Sequence, residues 1–166
     1  MFQRMIHDWF VPVKSEYNDF VKAMFLGDVD AMNEYMNRVA LQTFSYFDTG
    51  DRASGAEPER FYHGFVLGLL VDLQGSYYVK SNRESGFGRY DVMLEPKNPG
   101  KDPAVILEFK VRSTRKENSL EETAQSALAQ IKDRKYSEEL KEKGIAGEQI
   151  KEYGFAFEGK NVLIVD

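Results

Sequence analysis

The eight-residue run at positions 104–111 constrains the fold of this chain more than any other feature, because every second side chain in it is large and apolar. As a β-strand it would have one wholly apolar face, Val105, Leu107, Phe109 and Val111, and a second face of Ala104, Ile106, Glu108 and Lys110. A carboxylate and an ammonium group therefore project together from a strand that otherwise has a buried pattern. Such charges are costly in a core unless they are paired, bind a metal or line a cleft. A lone Glu-x-Lys is also compatible with an edge strand whose polar face is wet.

The preceding strand candidate, residues 89–95, brings a second carboxylate to the same place. Alternation puts Asp91 on the face opposite the apolar side chains of that strand. The link of residues 96–103 is rich in proline and contains a glycine, as expected of a hairpin loop. A hairpin would bring Asp91 beside Glu108, so that two carboxylates and Lys110 converge. Hard oxygen ligands of this kind suit Mg²⁺ or Mn²⁺, which can polarise a phosphodiester while the lysine orients a water.

Helical periodicity covers the first 47 residues, and a mixed pattern follows the turn-rich stretch 48–55. We therefore expect a helical N-terminal segment, residues 1–50, and a mixed α/β domain, residues 51–166. The elements expected in the second part are, in order, a helix from Pro58, strands at 77–81, 89–95 and 104–111, a helix at 120–136, and strands at 153–157 and 161–165.

Composition limits the partners and the compartment. The net charge of −5 argues mildly against a protein that coats nucleic acid, yet residues 110–116 contain four basic side chains and no acidic one. The absence of cysteine excludes disulfides and thiolate metal sites and is compatible with a reducing cytosol. No apolar run approaches the roughly 18 residues that a membrane span needs, and no secretory pattern opens the sequence. We expect a cytoplasmic protein that binds no membrane.

Four sequence blocks, in a fixed order, carry a resemblance to a known family. They are Glu59-Arg-Phe-Tyr-His-Gly64, the stretch 81–91 that ends in Asp91, Leu107-Glu-Phe-Lys110, and Ala127-Leu-Ala-Gln-Ile131. Asp91, followed after 16 residues by Glu108-Phe-Lys110, resembles the Asp…(Asp/Glu)-x-Lys signature of the PD-(D/E)XK nuclease superfamily. The blocks together are similar to a bacterial subgroup in which this domain usually follows an AAA-like ATPase module. The resemblance covers roughly residues 45–166.

The resemblance implies a restriction-endonuclease-like core, a mixed central β-sheet flanked by helices in the order α-β-β-β-α-β-β, after a helical segment that joins it to an upstream module. It implies an Mg²⁺- or Mn²⁺-dependent endo- or exonuclease in which Asp91 and Glu108 bind the metal and Lys110 positions or activates the water. Glu59 matches an acidic residue that adds a metal or water contact, although a first-turn carboxylate at a helix N-terminus is an equally good interpretation. Gln130 matches a polar residue that lines the site, or it is an ordinary exposed helix position.

Nucleic acid, with DNA favoured over RNA, is the implied partner, and an ATPase module in the same full-length protein and a homodimer are possible. Two other functions stay open. One is a non-catalytic nucleic-acid-binding or regulatory module of a larger AAA-ATPase-like protein, favoured by the acidic charge; the other is a helical interaction protein acting through residues 1–47. Tyr136 receives no role from its spacing to Gln130, and the glutamate-rich stretch from Glu117 to Glu142 is expected to be a solvated helical face.

Overall fold

The computed structural model describes residues 14–47, 64, 67–68, 70–83 and 89–166. Its elements are α1 (Lys14–Leu26), α2 (Val29–Phe47), a 3₁₀ turn (Asp72–Gly75), β1 (Tyr77–Arg83), β2 (Arg89–Pro96), β3 (Ala104–Val111), α3 (Leu120–Asp133), α4 (Tyr136–Glu142), a 3₁₀ turn (Gly147–Gln149), β4 (Ile150–Glu158) and β5 (Asn161–Val165). The mixed α/β class is confirmed: a five-stranded mixed sheet is flanked by helices, as in a restriction-endonuclease-like fold. None of the described helices has the length and apolar character to cross a membrane.

The five strands lie in the sheet in chain order, from β1 to β5. The pairs β1–β2, β2–β3 and β4–β5 are antiparallel, and β3–β4 is parallel. A parallel pair needs a long crossover, which here consists of α3 and α4. The predicted hairpin between β2 and β3 is confirmed, and β3 lies at the centre of the sheet. Because β3 is buried along almost its whole length, it is not the wet edge strand that Glu-x-Lys alone would have allowed.

Strand alternation gives the sheet two different faces. The larger apolar core contains Leu107, Phe109 and Phe155 from the sheet, packed with Met24 and Met36 of α1 and α2. The second face lies under α3 and α4 and has a smaller apolar cluster, with members Met93, Ala104, Ile106, Leu128, Ile131, Leu140 and Ile145. The odd-numbered positions of β2 and the even-numbered positions of β3 belong to this second face, as the sequence predicted. The charged residues of both strands are therefore directed toward α3 and α4.

Helix α2 closes one edge of the sheet with two asparagine amides that are one helical turn apart. Asn33 donates from Nδ2 to the carbonyl of Ile164 (2.9 Å) and accepts its N–H through Oδ1 (2.8 Å). Asn37 makes the same pair of bonds with Val162, at 2.8 and 3.1 Å. These bonds satisfy main-chain groups that an edge strand otherwise leaves open. Helix α2 is thus hydrogen-bonded to the sheet. A domain boundary near residue 50 stays a prediction, because residues 48–63 lie outside the described part of the chain.

The helix expected over residues 120–136 is wrong at its end. Helix α3 stops at Asp133, and Tyr136 begins α4. Lys135 between them has a left-handed conformation, with φ of 58°, which ends one helix and redirects the chain into the next. The break brings Arg134 and Tyr136 into contact with β2.

Helix α3 lies very close to the sheet, and Gly154 of β4 permits this approach. A Cβ atom on Gly154 would lie 2.4 Å from the carbonyl oxygen of Ala124 and 2.9 Å from the main-chain nitrogen of Leu128. Gly154 is the register partner of Glu108 on β3. The missing side chain therefore lets α3 pack beside the strand position that carries the central carboxylate.

Candidate functional site

Asp91 and Glu108 are direct cross-strand partners on β2 and β3, as the sequence predicted. Both are buried, with 3% and 1% of their surface exposed. The Cβ atoms of such partners lie about 4.5–5.5 Å apart, so two carboxylates meet on a face with little access to water. Two like charges this close repel each other, and a bound cation relieves that repulsion.

The Asp91 carboxylate is held by two side chains that follow α3. The Arg134 guanidinium donates from Nη1 to Oδ2 of Asp91 at 2.5 Å, and the Tyr136 hydroxyl donates to the same oxygen at 2.6 Å. Both bonds fall on Oδ2, so that, among the described residues, the Oδ1 side of the carboxylate is left for another ligand. Charge-assisted bonds of this kind are stronger than neutral ones, so they fix the orientation of Asp91.

Lys110 lies on the same face of β3 as Glu108 and is 8% exposed. Its ammonium group forms a short ion pair with Oε1 of Glu117 and donates to Oγ of Ser126 at 2.7 Å. Glu117 is also 8% exposed, so the expectation that it belongs to a solvated helical face is wrong. A buried cation and a buried carboxylate are paired here, as the cost of burying either one requires.

Glu117 is surrounded by donors. Its Oε2 accepts the main-chain N–H of Ser113 at 3.0 Å and the hydroxyl of Thr123 at 2.8 Å. Burial by itself raises the pKa of Glu117, but the hydrogen bonds from Lys110, Ser113 and Thr123 outweigh it and hold the pKa below its ordinary value of 4.5. The carboxylate is therefore ionised at neutral pH.

Arg112 fixes the loop that carries Glu117. Its Nη1 donates to both carboxylate oxygens of Glu158, at 2.7 and 2.8 Å, and its Nη2 donates to the carbonyl of Asn118 at 2.8 Å. Lys110 and Arg112 are thus both engaged with carboxylates. Of the four basic residues at positions 110–116, Arg115 and Lys116 are the exposed ones.

Gln130 lies on the helix face that covers the site. Ser126, Gln130 and Arg134 follow one another at four-residue intervals, which places them on one side of α3 and its C-cap. Ser126 contacts Lys110 and Arg134 contacts Asp91, so Gln130, which is half-buried, lies between these two contacts. Its contact with a metal or a substrate stays a prediction.

The donor set can be compared with the needs of a divalent cation. Across the described part of the chain, no group of three or more acidic or histidine side chains is placed to hold a metal. Glu59, the third ligand expected from the sequence, lies outside the described residues, as does His63. Asp91 and Glu108 nevertheless fit Mg²⁺, which proteins hold through one or two carboxylates while water and substrate oxygens complete the shell.

Four residues of this site were not identified from the sequence: Arg134, Tyr136, Glu117 and Ser126. The four-residue spacing of Ser126 and Arg134 around Gln130 is a readable signal, because the resemblance already pointed to Gln130. Tyr136 and Glu117 depend on a helix break and on a loop conformation, and neither has a periodic signature.

Comparison with known proteins gives one match. A family model described as the PD-(D/E)XK nuclease superfamily matches residues 57–166. No curated protein and no solved structure matches the chain. The matched range includes all five strands, α3 and α4, and therefore every residue of the site described above.

Proposed function

Since this chain belongs to the PD-(D/E)XK nuclease superfamily, we propose that it hydrolyses phosphodiester bonds of DNA or RNA at the Asp91–Glu108 site with a divalent cation. The observation that carries the proposal is the register of β2 and β3. It sets two buried carboxylates directly opposite each other, with Lys110 on the same face. DNA is the substrate class that we favour.

Each residue has a distinct role in this proposal. Asp91 and Glu108, with Glu59, would hold Mg²⁺ or Mn²⁺. When bound, the cation would neutralise charge on the phosphate and make a water molecule more acidic. Lys110 donates a hydrogen bond to the attacking water or to a phosphate oxygen, where a preorganised charge stabilises the transition state. Gln130 positions the substrate or the water from the helix above.

The surrounding structure supports these roles. Arg134 and Tyr136 orient Asp91 through Oδ2, and the burial of Asp91, Glu108 and Lys110 keeps bulk water from screening their charges. Arg115 and Lys116 are exposed on the loop that follows β3 and can contact the backbone phosphates of a nucleic acid.

One observation favours a second candidate, a non-catalytic binding or regulatory module. Asp91 and Lys110 each have an opposite charge from the chain itself, in Arg134 and Glu117. A site that is internally neutralised in this way can persist without a cation.

The proposal also includes four expectations that rest on the resemblance and the composition: an ATPase module, a homodimer, a bacterial source and a cytoplasmic location.

The test is cleavage of fluorescently labelled single- and double-stranded DNA and RNA with Mn²⁺ or Mg²⁺. EDTA serves as the metal control, Glu108→Gln as the site variant, and Glu121→Gln as the matched variant, because Glu121 is an exposed glutamate in the first turn of α3. We expect metal-dependent products with the wild type and Glu121→Gln and none with Glu108→Gln. Cleavage that survives in Glu108→Gln, or no cleavage of any substrate, contradicts the proposal.

A further inference from the structure

The ammonium group of Lys110 has three N–H donors, and acceptors among the described residues take two of them. One points to Glu117 and one to Ser126. A lysine side chain is a flexible chain of four carbons, so the strand alone does not fix the position of its ammonium group. The two partners therefore decide where the ammonium lies, and they leave one donor for a ligand.

Glu117 is itself fixed from three directions. The main-chain N–H of Ser113 and the hydroxyl of Thr123 hold its second oxygen, and Arg112 bonds to the carbonyl of Glu117 at 3.3 Å. With the ion pair to Lys110, the carboxylate is held from β3, from the loop and from α3, whereas the Arg112 bond fixes the main chain of the same residue. A buried carboxylate is costly unless it is paired, and the charge that pairs with Glu117 is the lysine of the site.

We propose that Glu117 is a positioning residue for the reaction: together with Ser126 it fixes the Lys110 ammonium, so that the third N–H meets the attacking water or the scissile phosphate. This inference rests on the proposed phosphodiesterase function, because it needs a reaction at Lys110. Glu117 does not touch the substrate and acts only through the lysine.

Steady-state kinetics give the first test. In Glu117→Ala the ammonium loses its fixed position, and a displacement of about 1 Å costs about 100-fold in rate, so kcat falls by that factor while KM and Mn²⁺ affinity stay the same. Glu117→Gln keeps an oxygen acceptor and recovers part of the loss. Glu121→Gln, which changes an exposed glutamate in the first turn of α3, leaves kcat unchanged. A parallel loss of metal affinity and kcat makes Glu117 a structural residue and overturns the inference.

A double variant tests whether Glu117 acts through the lysine. In single-turnover reactions, Glu117→Gln in a Lys110→Ala background should cleave at the rate of Lys110→Ala alone. Independent, additive losses in the double variant contradict the proposal. Thr123→Val, which removes one donor to Glu117 but keeps the shape, should lower kcat less than Glu117→Ala does.

A spectroscopic measurement separates this inference from the proposed function. In NMR of ¹⁵N-lysine-labelled protein, a fixed ammonium with slow proton exchange gives an observable Nζ correlation. We expect that signal for Lys110 in the wild type and in Glu121→Gln, and its loss in Glu117→Ala. If no substrate is cleaved but the signal depends on Glu117, the nuclease proposal and the role of Glu117 in the reaction fail, and only the fixing of the Lys110 ammonium by Glu117 stands. If the wild type cleaves while kcat and the signal are both unchanged in Glu117→Ala, the positioning fails and the nuclease stands.

Discussion

Substitution of Gly154 by alanine tests whether the close approach of α3 to the sheet sets the geometry of the site. The added Cβ would lie 2.4 Å from the Ala124 carbonyl oxygen, whereas ordinary contacts begin at 3.4 Å, so the helix must move away by about 1 Å. Both nearby obstacles, the Ala124 oxygen and the Leu128 nitrogen, are main-chain atoms and have no alternative rotamer. Overpacking costs about 1–3 kcal/mol, and with rigid obstacles we expect about 3 kcal/mol.

Thermal and denaturant unfolding measure this loss. For a chain of this size, about 3 kcal/mol lowers Tm by roughly 6–12 °C. The control is Gly75→Ala, because a Cβ at Gly75 meets no atom within 4 Å, and its Tm should stay near the wild-type value. The displaced helix also carries Ser126 and Gln130, so the cleavage rate of folded Gly154→Ala should fall by about 100-fold. Equal Tm values for the two alanine variants, or a stable Gly154→Ala with full activity, would refute the reasoning.

Three further predictions concern the sheet edge, the metal site and acid stability. Asn37→Ala removes two hydrogen bonds to β5, and should lower the free energy of unfolding by about 1–3 kcal/mol in urea, whereas Glu34→Ala, an exposed neighbour on α2, should change it little. Arg134→Ala removes a charge-assisted bond that orients Asp91; because partners that orient a metal ligand contribute about 10- to 100-fold in affinity, Mn²⁺ should bind at least about tenfold more weakly, and equal or tighter binding would contradict the orienting role. The pKa of Glu117 is lowered on folding, so its contribution to stability is present above pH 4.5 and is lost as the pH falls through the lowered pKa. The free energy of unfolding should therefore decline less steeply below pH 4.5 in Glu117→Gln than in the wild type. Identical slopes for the two proteins would contradict this reasoning.

The sequence was most informative about the β-strands, in which successive side chains alternate between the two faces of the sheet. Alternation along β3 separated Glu108 and Lys110 from the apolar face, and the same rule placed Asp91 on the matching face of β2. Only the register of the hairpin remained to be set, and the 96–103 loop sets it as expected. A one-residue slip would have moved Asp91 to the opposite face, so the predicted pairing is a sensitive test of the pattern.

The site residues that the sequence did not predict lie in segments that lack a periodic pattern of apolar and polar side chains. Glu117 stands in a run of acidic residues that is typical of a solvated helix, and only the folded loop shows that it returns to Lys110. Tyr136 reaches Asp91 because Lys135 adopts a left-handed conformation, and a lysine gives no such signal, unlike glycine or asparagine. Long-range side-chain bonds, such as those of Asn37 to β5, likewise leave no local pattern in the sequence.

The most direct test of the central claim is the location of Mn²⁺ by anomalous diffraction from crystals of the wild-type protein and of Glu108→Gln. We predict an anomalous peak between Asp91 and Glu108 in the wild type, at the distance of about 2.0–2.2 Å from carboxylate oxygens that small divalent cations adopt, and no peak there in Glu108→Gln. A peak elsewhere on the molecule, or none at a Mn²⁺ concentration that supports cleavage, would contradict the assignment of these two carboxylates as the metal site.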